Sequence, residues 1–141
     1  MPLIHSPELQ AWATGFPVTL LHVAVTLAIL LAGAALYALV TPHQEIQLIR
    51  EGNTAAALSF AGVLMGLAIP LAFALSAATS VVEIALWGAT VTAIQLALFW
   101  LTDLILHGLP QRIREGEIAA AALLVGAKLA VAAILAAAVA A

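Results

Sequence analysis

Residues 43 to 57 read HQEIQLIREGNTAAA, and residues 107 to 121 read HGLPQRIREGEIAAA. One offset aligns His43 with His107, Gln47 with Gln111, Ile49 with Ile113, Arg50 with Arg114, Glu51 with Glu115 and Gly52 with Gly116. The same offset aligns the Ala triplets and carries Gly62 onto Gly126 in the apolar run that follows. Each copy is a polar connector feeding a hydrophobic segment, so the chain reads as a tandem internal repeat.

The rest of the composition says where such a repeat can live. Of 141 residues, 65% are hydrophobic and 8% charged, and the mean hydropathy is +1.19. An ordinary soluble domain carries roughly 25% charged residues. The chain belongs in a bilayer, and its length accommodates about four helices of ~20 residues with short connectors. We therefore expect an all-α membrane protein: one integral membrane domain over residues 1 to 141, with four transmembrane helices from two two-helix repeats. Repeat one covers about 17 to 76 and repeat two about 83 to 141. The absence of Cys removes disulfides, thiolate catalysis and Cys-ligated metals. A net charge of -3 gives no reason to expect a nucleic-acid partner. The first ten residues lack Lys and Arg, so they do not resemble the basic start of a cleaved signal peptide, and the segment is expected to be retained.

Taken in order, Ser6-Pro7-Glu8 reads as an N-cap, a first-turn Pro and an early acid, which opens a short N-terminal interfacial helix with Trp12 and Phe16 at headgroup level. Span one runs from Pro17 to Val40 without a charge, and Thr19, His22, Thr26, Gly33 and Tyr37 fall on one protein-facing arc. Span two, about Thr54 to Ser76, follows Asn53-Thr54, which reads as a helix cap. It places Ser59, Gly62, Gly66, Pro70 and Phe73 on one side, and Gly62 with Gly66 forms a packing pair of the GxxxG type. Span three, about Glu83 to Leu106, is the most polar, gathering Gly88, Thr92, Gln95, Thr102 and Asp103 on one face. Span four starts at Ile118, is rich in Ala and carries Lys128 about ten residues in, near the bilayer centre.

Arg50 lies in the first connector and Arg112 and Arg114 in the third, and these connectors share one side of a four-span protein. The positive-inside rule makes that side cytoplasmic, with the termini outside. Two-span copies then have the same orientation and are related by an axis along the membrane normal.

The pattern Thr41-Pro42-His43, Glu45, Gln47-Leu48-Ile49, Asn53-Thr54-Ala55-Ala56, Leu58, Phe60, Gly62, Leu64, Gly66 and Ile69-Pro70-Leu71, followed by Trp87-Gly88 and Ile94-Gln95-Leu96, resembles the YjfL-like bacterial inner-membrane family, domain-of-unknown-function family 350. The resemblance covers nearly all of the chain after the N-terminal segment. It implies a four-spanning inner-membrane protein with a tandem two-helix repeat and no established activity. Because members are often encoded beside PspA-like membrane-associated proteins, it also implies a PspA-like peripheral partner and a link to envelope stress. The second copy departs from the pattern, with Glu117-Ile118 in place of Asn53-Thr54, and Lys128 is not a charge associated with the family.

Three sets of residues are candidates for function. The connector residues His43, Arg50, Glu51, Asn53, His107, Arg114 and Glu115 read first as caps and turns. The alternative is a cytoplasmic rim for an anionic ligand, with Arg50 and Arg114 paired to Glu51 and Glu115 and the two His as a metal or pH-sensitive couple. Gly62, Gly66 and Gly126 read as helix-packing positions. The polar intramembrane set is Thr92, Gln95, Thr102, Asp103 and Lys128. Within it, Gln95 is expected level with Lys128, and Asp103 two turns nearer the cytoplasm, reached only by a bent or water-mediated route. No catalytic residue, metal site or cofactor is expected. A haem or quinone role for His22 lacks a second ligand at matching depth, and no Ser or Thr sits in a nucleophile motif. The leading expectation is a non-enzymatic homo-oligomeric scaffold or partner subunit in the bilayer, associating through the small-residue faces of spans two and four. The alternative is an ion or small-solute channel or transporter lined by the polar face of span three.

Overall fold

A computed structural model describes residues 5 to 41 and 45 to 141. Six helices follow one another: α1 Pro7–Val40, α2 Glu45–Arg50, α3 Thr54–Ala77, α4 Val81–Ile105, α5 Leu109–Arg114 and α6 Ile118–Ala140. The four long ones are long and apolar enough to cross a membrane. Among the described residues there is no strand. Large side chains such as Leu31, Leu39, Leu86, Trp100, Leu123 and Ile134 stand exposed around the bundle. Such a surface is costly in water and is natural against lipid.

The helix ends explain the boundaries. Ser6 caps α1 by accepting from the Leu9 amide, 3.3 Å, and Pro7 occupies the first turn. Residues 7 to 16 are not a separate interfacial helix, because α1 runs unbroken through Pro17. Proline forfeits only its own amide bond. The helix on either side persists, and the Thr14 and Thr19 hydroxyls donate to the Gln10 and Gly15 carbonyls. At 1.5 Å per residue α1 is about 51 Å long, well beyond a hydrocarbon core of about 30 Å. Its first turns, with Trp12 stacked on Phe16 at 5.2 Å, are exposed.

Between α3 and α4 the chain turns at residues 78 to 80. Ser80 accepts from the Glu83 amide, and Glu83 accepts from the Thr79 amide and hydroxyl, a reciprocal cap that sharpens the start of α4.

The two short helices end alike. At the close of α2, Gly52 takes φ 87°, its amide donates to the Ile49 carbonyl, and the Asn53 amide donates to that of Leu48. At the close of α5, Gly116 takes φ 84°, with the matching bonds to Ile113 and Arg112. This left-handed stop is one that only glycine adopts without strain.

Each long helix packs most extensively on its counterpart: α1 on α4, and α3 on α6. The second pair is the closest, because α3 and α6 meet through small residues. A Cβ added at Gly62 would stand 2.6 Å from the Val125 side chain of α6, whereas one at Gly66 would stand 2.5 Å from the Phe99 ring of α4. Ala55, Ala56, Ala120 and Ala121 join Leu109, Ile113 and Leu124 in a core cluster, which seats α5 against α3 and α6. The expected protein-facing sides are partly corrected. Gly33 and Tyr37 are buried, whereas His22 and Thr26 are half-buried and Thr19 is exposed. Phe73 points outward, unlike Ser59, Gly62, Gly66 and Pro70. Gly126 is also exposed, and a Cβ added there would meet nothing within 4 Å, because the α3 contact falls on Val125 instead. The small-residue faces at Gly62 and Gly66 are consumed inside one chain, so they do not serve subunit association.

Candidate functional site

Lys128, on α6, has no exposed surface. Rings from two other helices close over it. Its ammonium lies 4.5 Å from the centre of the Tyr37 ring of α1 and 5.4 Å from that of Phe99 of α4. The rings meet edge to face with centres 6.1 Å apart. Nζ donates to the Tyr37 hydroxyl and stands 3.0 Å from Asp103 Oδ1 of α4. The Tyr37 hydroxyl in turn donates to Asp103 Oδ2 at 3.2 Å. Three helices thus close a Lys–Tyr–Asp triangle, which answers the insertion cost of an intramembrane lysine.

This corrects the expected depths. Asp103 is reached directly, because the lysine stem extends along the bundle toward the connector end, where Asp103 sits within one turn of the close of α4. Gln95, two turns deeper, is not the partner. It is fully buried, and neither amide atom has a hydrogen-bond partner. Thr92, still deeper, is buried with its hydroxyl also unpartnered, while the Thr102 hydroxyl donates to the Leu98 carbonyl of its own helix. Thr92, Gln95, Thr102 and Asp103 therefore share one face of α4, but of the expected polar set only Asp103 and Lys128 of α6 meet.

One contributor was missed by sequence reasoning. Glu45, the first residue of α2, is 4% exposed, and its Oε1 accepts from the Ser59 hydroxyl of α3 at 3.1 Å, while Oε2 has no partner. Burial pushes the Glu45 carboxyl above the usual carboxylate range, and the Lys128 charge and the Ser59 bond oppose that shift. Its sequence signal was weak, since an acid beside Arg50 in a connector looks solvated. Tyr37 was visible only as a member of a polar arc.

Beside the triangle, a groove of about 430 Å³ opens between the ends of α1 and α4. Its walls include Leu36, Val40, Leu96 and Trp100, and Tyr37 and Asp103 form its inner side.

The connector residues do structural work. Asn53 Oδ1 accepts from the Ala56 amide at 3.0 Å, as a cap, and its Nδ2 donates to the Ile113 and Arg114 carbonyls at 3.1 and 3.2 Å, tying one connector to the other. Glu51 and Glu115 accept from Gln47 and Gln111, each at 3.3 Å. In the second copy Glu117 makes no side-chain cap and instead pairs with Arg112, which holds the Glu117 carboxyl below the usual range. Arg50 and His107 are exposed, and His43 lies outside the described residues, so the His couple has no geometry. Among the described residues no group of three or more His, Asp or Glu is placed to hold a metal.

Comparison with known proteins adds a family. No solved structure matches the chain. The UPF0719 inner membrane proteins YjfL of Escherichia coli K12 and of Escherichia coli O157:H7 are each 40% identical to it over 85 residues, 60% of this chain and 64% of the relative. The match thus spans just under two thirds of those relatives. The family model described as Domain of Unknown Function (DUF350) matches residues 11–139, almost the whole of the four-helix bundle, and the chain belongs to that family.

Proposed function

We propose that the protein is a non-enzymatic, multi-pass inner-membrane protein that passes protons or a small cation along the buried face of α4, with Asp103, Lys128 and Tyr37 as the charged step. The observation that carries this reading is Gln95, fully buried with both amide atoms unpartnered, beneath the Asp103–Lys128 pair. A buried amide without partners costs several kcal/mol in hydrocarbon, so water is expected beside it, and water on that face continues the polar line from Asp103 to Thr92. Asp103 is the acid that keeps some exposure beside the path, whereas the Lys128 charge is fully buried, which favours a cation over an anion. The relatives' inner-membrane location and the three connector arginines support a cytoplasmic position for the connectors. The test is flux in liposomes, read with a pH-sensitive dye and with potassium. Wild type is expected to leak faster than protein-free liposomes and Gln95→Leu to abolish the difference. Wild-type liposomes as tight as empty ones overturn the reading.

A second reading, a homo-oligomeric scaffold or partner subunit linked to envelope stress, is favoured by the outward face of α6. There Ala119, Ala122, Gly126, Ala130 and Ala133 are all exposed, and small residues let a second helix approach closely. A PspA-like peripheral partner would meet the shallow depression between the connectors, which Glu51, Asn53 and Glu115 help to line. Native mass spectrometry from mild detergent showing only monomer overturns the self-association.

A further inference from the structure

The groove between α1 and α4 is apolar along most of its walls and has a carboxylate at its base. Among its described lining residues Asp103 alone carries a charge, and its side chain keeps 15% exposure, whereas Lys128 keeps none. A group arriving through the groove therefore meets the acid and not the base. Both Tyr37 and Asp103 lie within one helical turn of the ends of their helices at Val40 and Ile105, the level at which headgroups lie above a spanning bundle. Trp100, exposed on the groove wall, is the residue type that collects at that level. Deeper in, Leu36, Leu96 and Ala97 offer an apolar slot, and the volume of about 430 Å³ falls within the range of small-molecule sites.

We propose that this groove binds one phospholipid with a primary-amine head, the ammonium donating to Asp103 and an acyl chain lying along Leu36, Leu96 and Ala97. An anionic headgroup is disfavoured because it meets the Asp103 carboxylate while Lys128 is sealed behind the Tyr37 and Phe99 rings. A choline head carries the charge but has no N–H to donate, so it lacks the hydrogen bond. The site shares Tyr37 and Asp103 with the proposed flux path but opens sideways to the bilayer, and retained lipid is read without any flux.

The experiment offers the purified protein an equimolar mixture of phosphatidylethanolamine, phosphatidylcholine and phosphatidylglycerol in nanodiscs and reads the retained lipid by native mass spectrometry. Wild type is expected to retain phosphatidylethanolamine roughly tenfold over each of the others, the size of one charge-assisted hydrogen bond. Ala97→Trp fills the slot from its exposed side without touching the ion pair, and should abolish retention while leaving helicity and melting unchanged. The double variant Asp103→Asn with Lys128→Met keeps the slot and neutralises its base, and should retain lipid without preference between ethanolamine and choline. Equal retention of the three lipids by wild type overturns the proposal, and so does a folded Ala97→Trp that still selects phosphatidylethanolamine.

Discussion

At the residue scale, Lys128 shows how one side chain enlists a neighbourhood. Seen in the sequence alone, it is a costly charge near the bilayer centre. The structure gives it a partner, so Lys128→Met would strand the mostly buried Asp103 carboxylate beside Tyr37. Breaking one side of a buried pair costs up to about 3–5 kcal/mol, whereas neutralising both sides is often close to neutral. Lys128→Met should therefore melt well below wild type in detergent, and adding Asp103→Asn should recover most of the loss. A double variant no more stable than the single one would show the pair to be uncoupled.

Glu45 gives a second test at this scale. Its carboxyl is raised by burial and faces Lys128, Asp103, Ser59 and Tyr37. A raised acid keeps a proton in the folded state that the unfolded chain has released. Its contribution is therefore full below the ordinary value of 4.5 and lost as pH rises through the folded value. The wild-type melting temperature should fall relative to that of Glu45→Gln as pH rises above 4.5, and parallel curves for the two proteins would refute the assignment. The acid and base were legible in the sequence as expensive groups. Their partners were not, because Tyr37 and Glu45 reach them across the bundle, and no local spacing encodes which faces will meet.

At the element scale, three of the four long helices were legible to within a few residues, since caps and apolar runs are local signals, whereas the short helices α2 and α5 inside the connectors were not expected. Asn53, Ser80 and Gly52 all act where their chemistry predicts. The exception is α1, where Pro17 has the look of a start and is interior. Proline is a strong stop in water, but a long apolar helix loses only one bond there and gains nothing by breaking in lipid.

The two glycines in register between the repeats make the sharper contrast. Gly62 is pressed against Val125, while Gly126 faces outward. Gly62→Leu should lower stability in detergent by about 1–3 kcal/mol through overpacking, and Gly126→Leu should leave monomer melting unchanged. Equal effects from the two substitutions would mean that α3 and α6 do not pack through this face.

At the scale of the whole molecule, α1, α2, α3, α4 and α6 each contribute to one buried polar neighbourhood, through Tyr37, Glu45, Ser59, Asp103 and Lys128. It lies toward the connector end of the bundle, close to the Asn53 tie that links the two connectors. Both connectors must then face one side of the membrane, whichever side that is, since Asn53 of the first bonds the backbone of the second. Arg50, Arg112 and Arg114 favour the cytoplasmic side, because basic residues in short loops resist translocation. The absence of native Cys makes single-Cys labelling clean. In spheroplasts, an impermeant maleimide should label Ala77→Cys at the far end of α3 directly, and should label Gln47→Cys and Gln111→Cys only after permeabilisation. The reverse pattern would invert the topology while leaving the bundle intact. Different behaviour of Gln47→Cys and Gln111→Cys would be more serious, because it would place the connectors on opposite faces and break the bond geometry on which the paired arrangement rests.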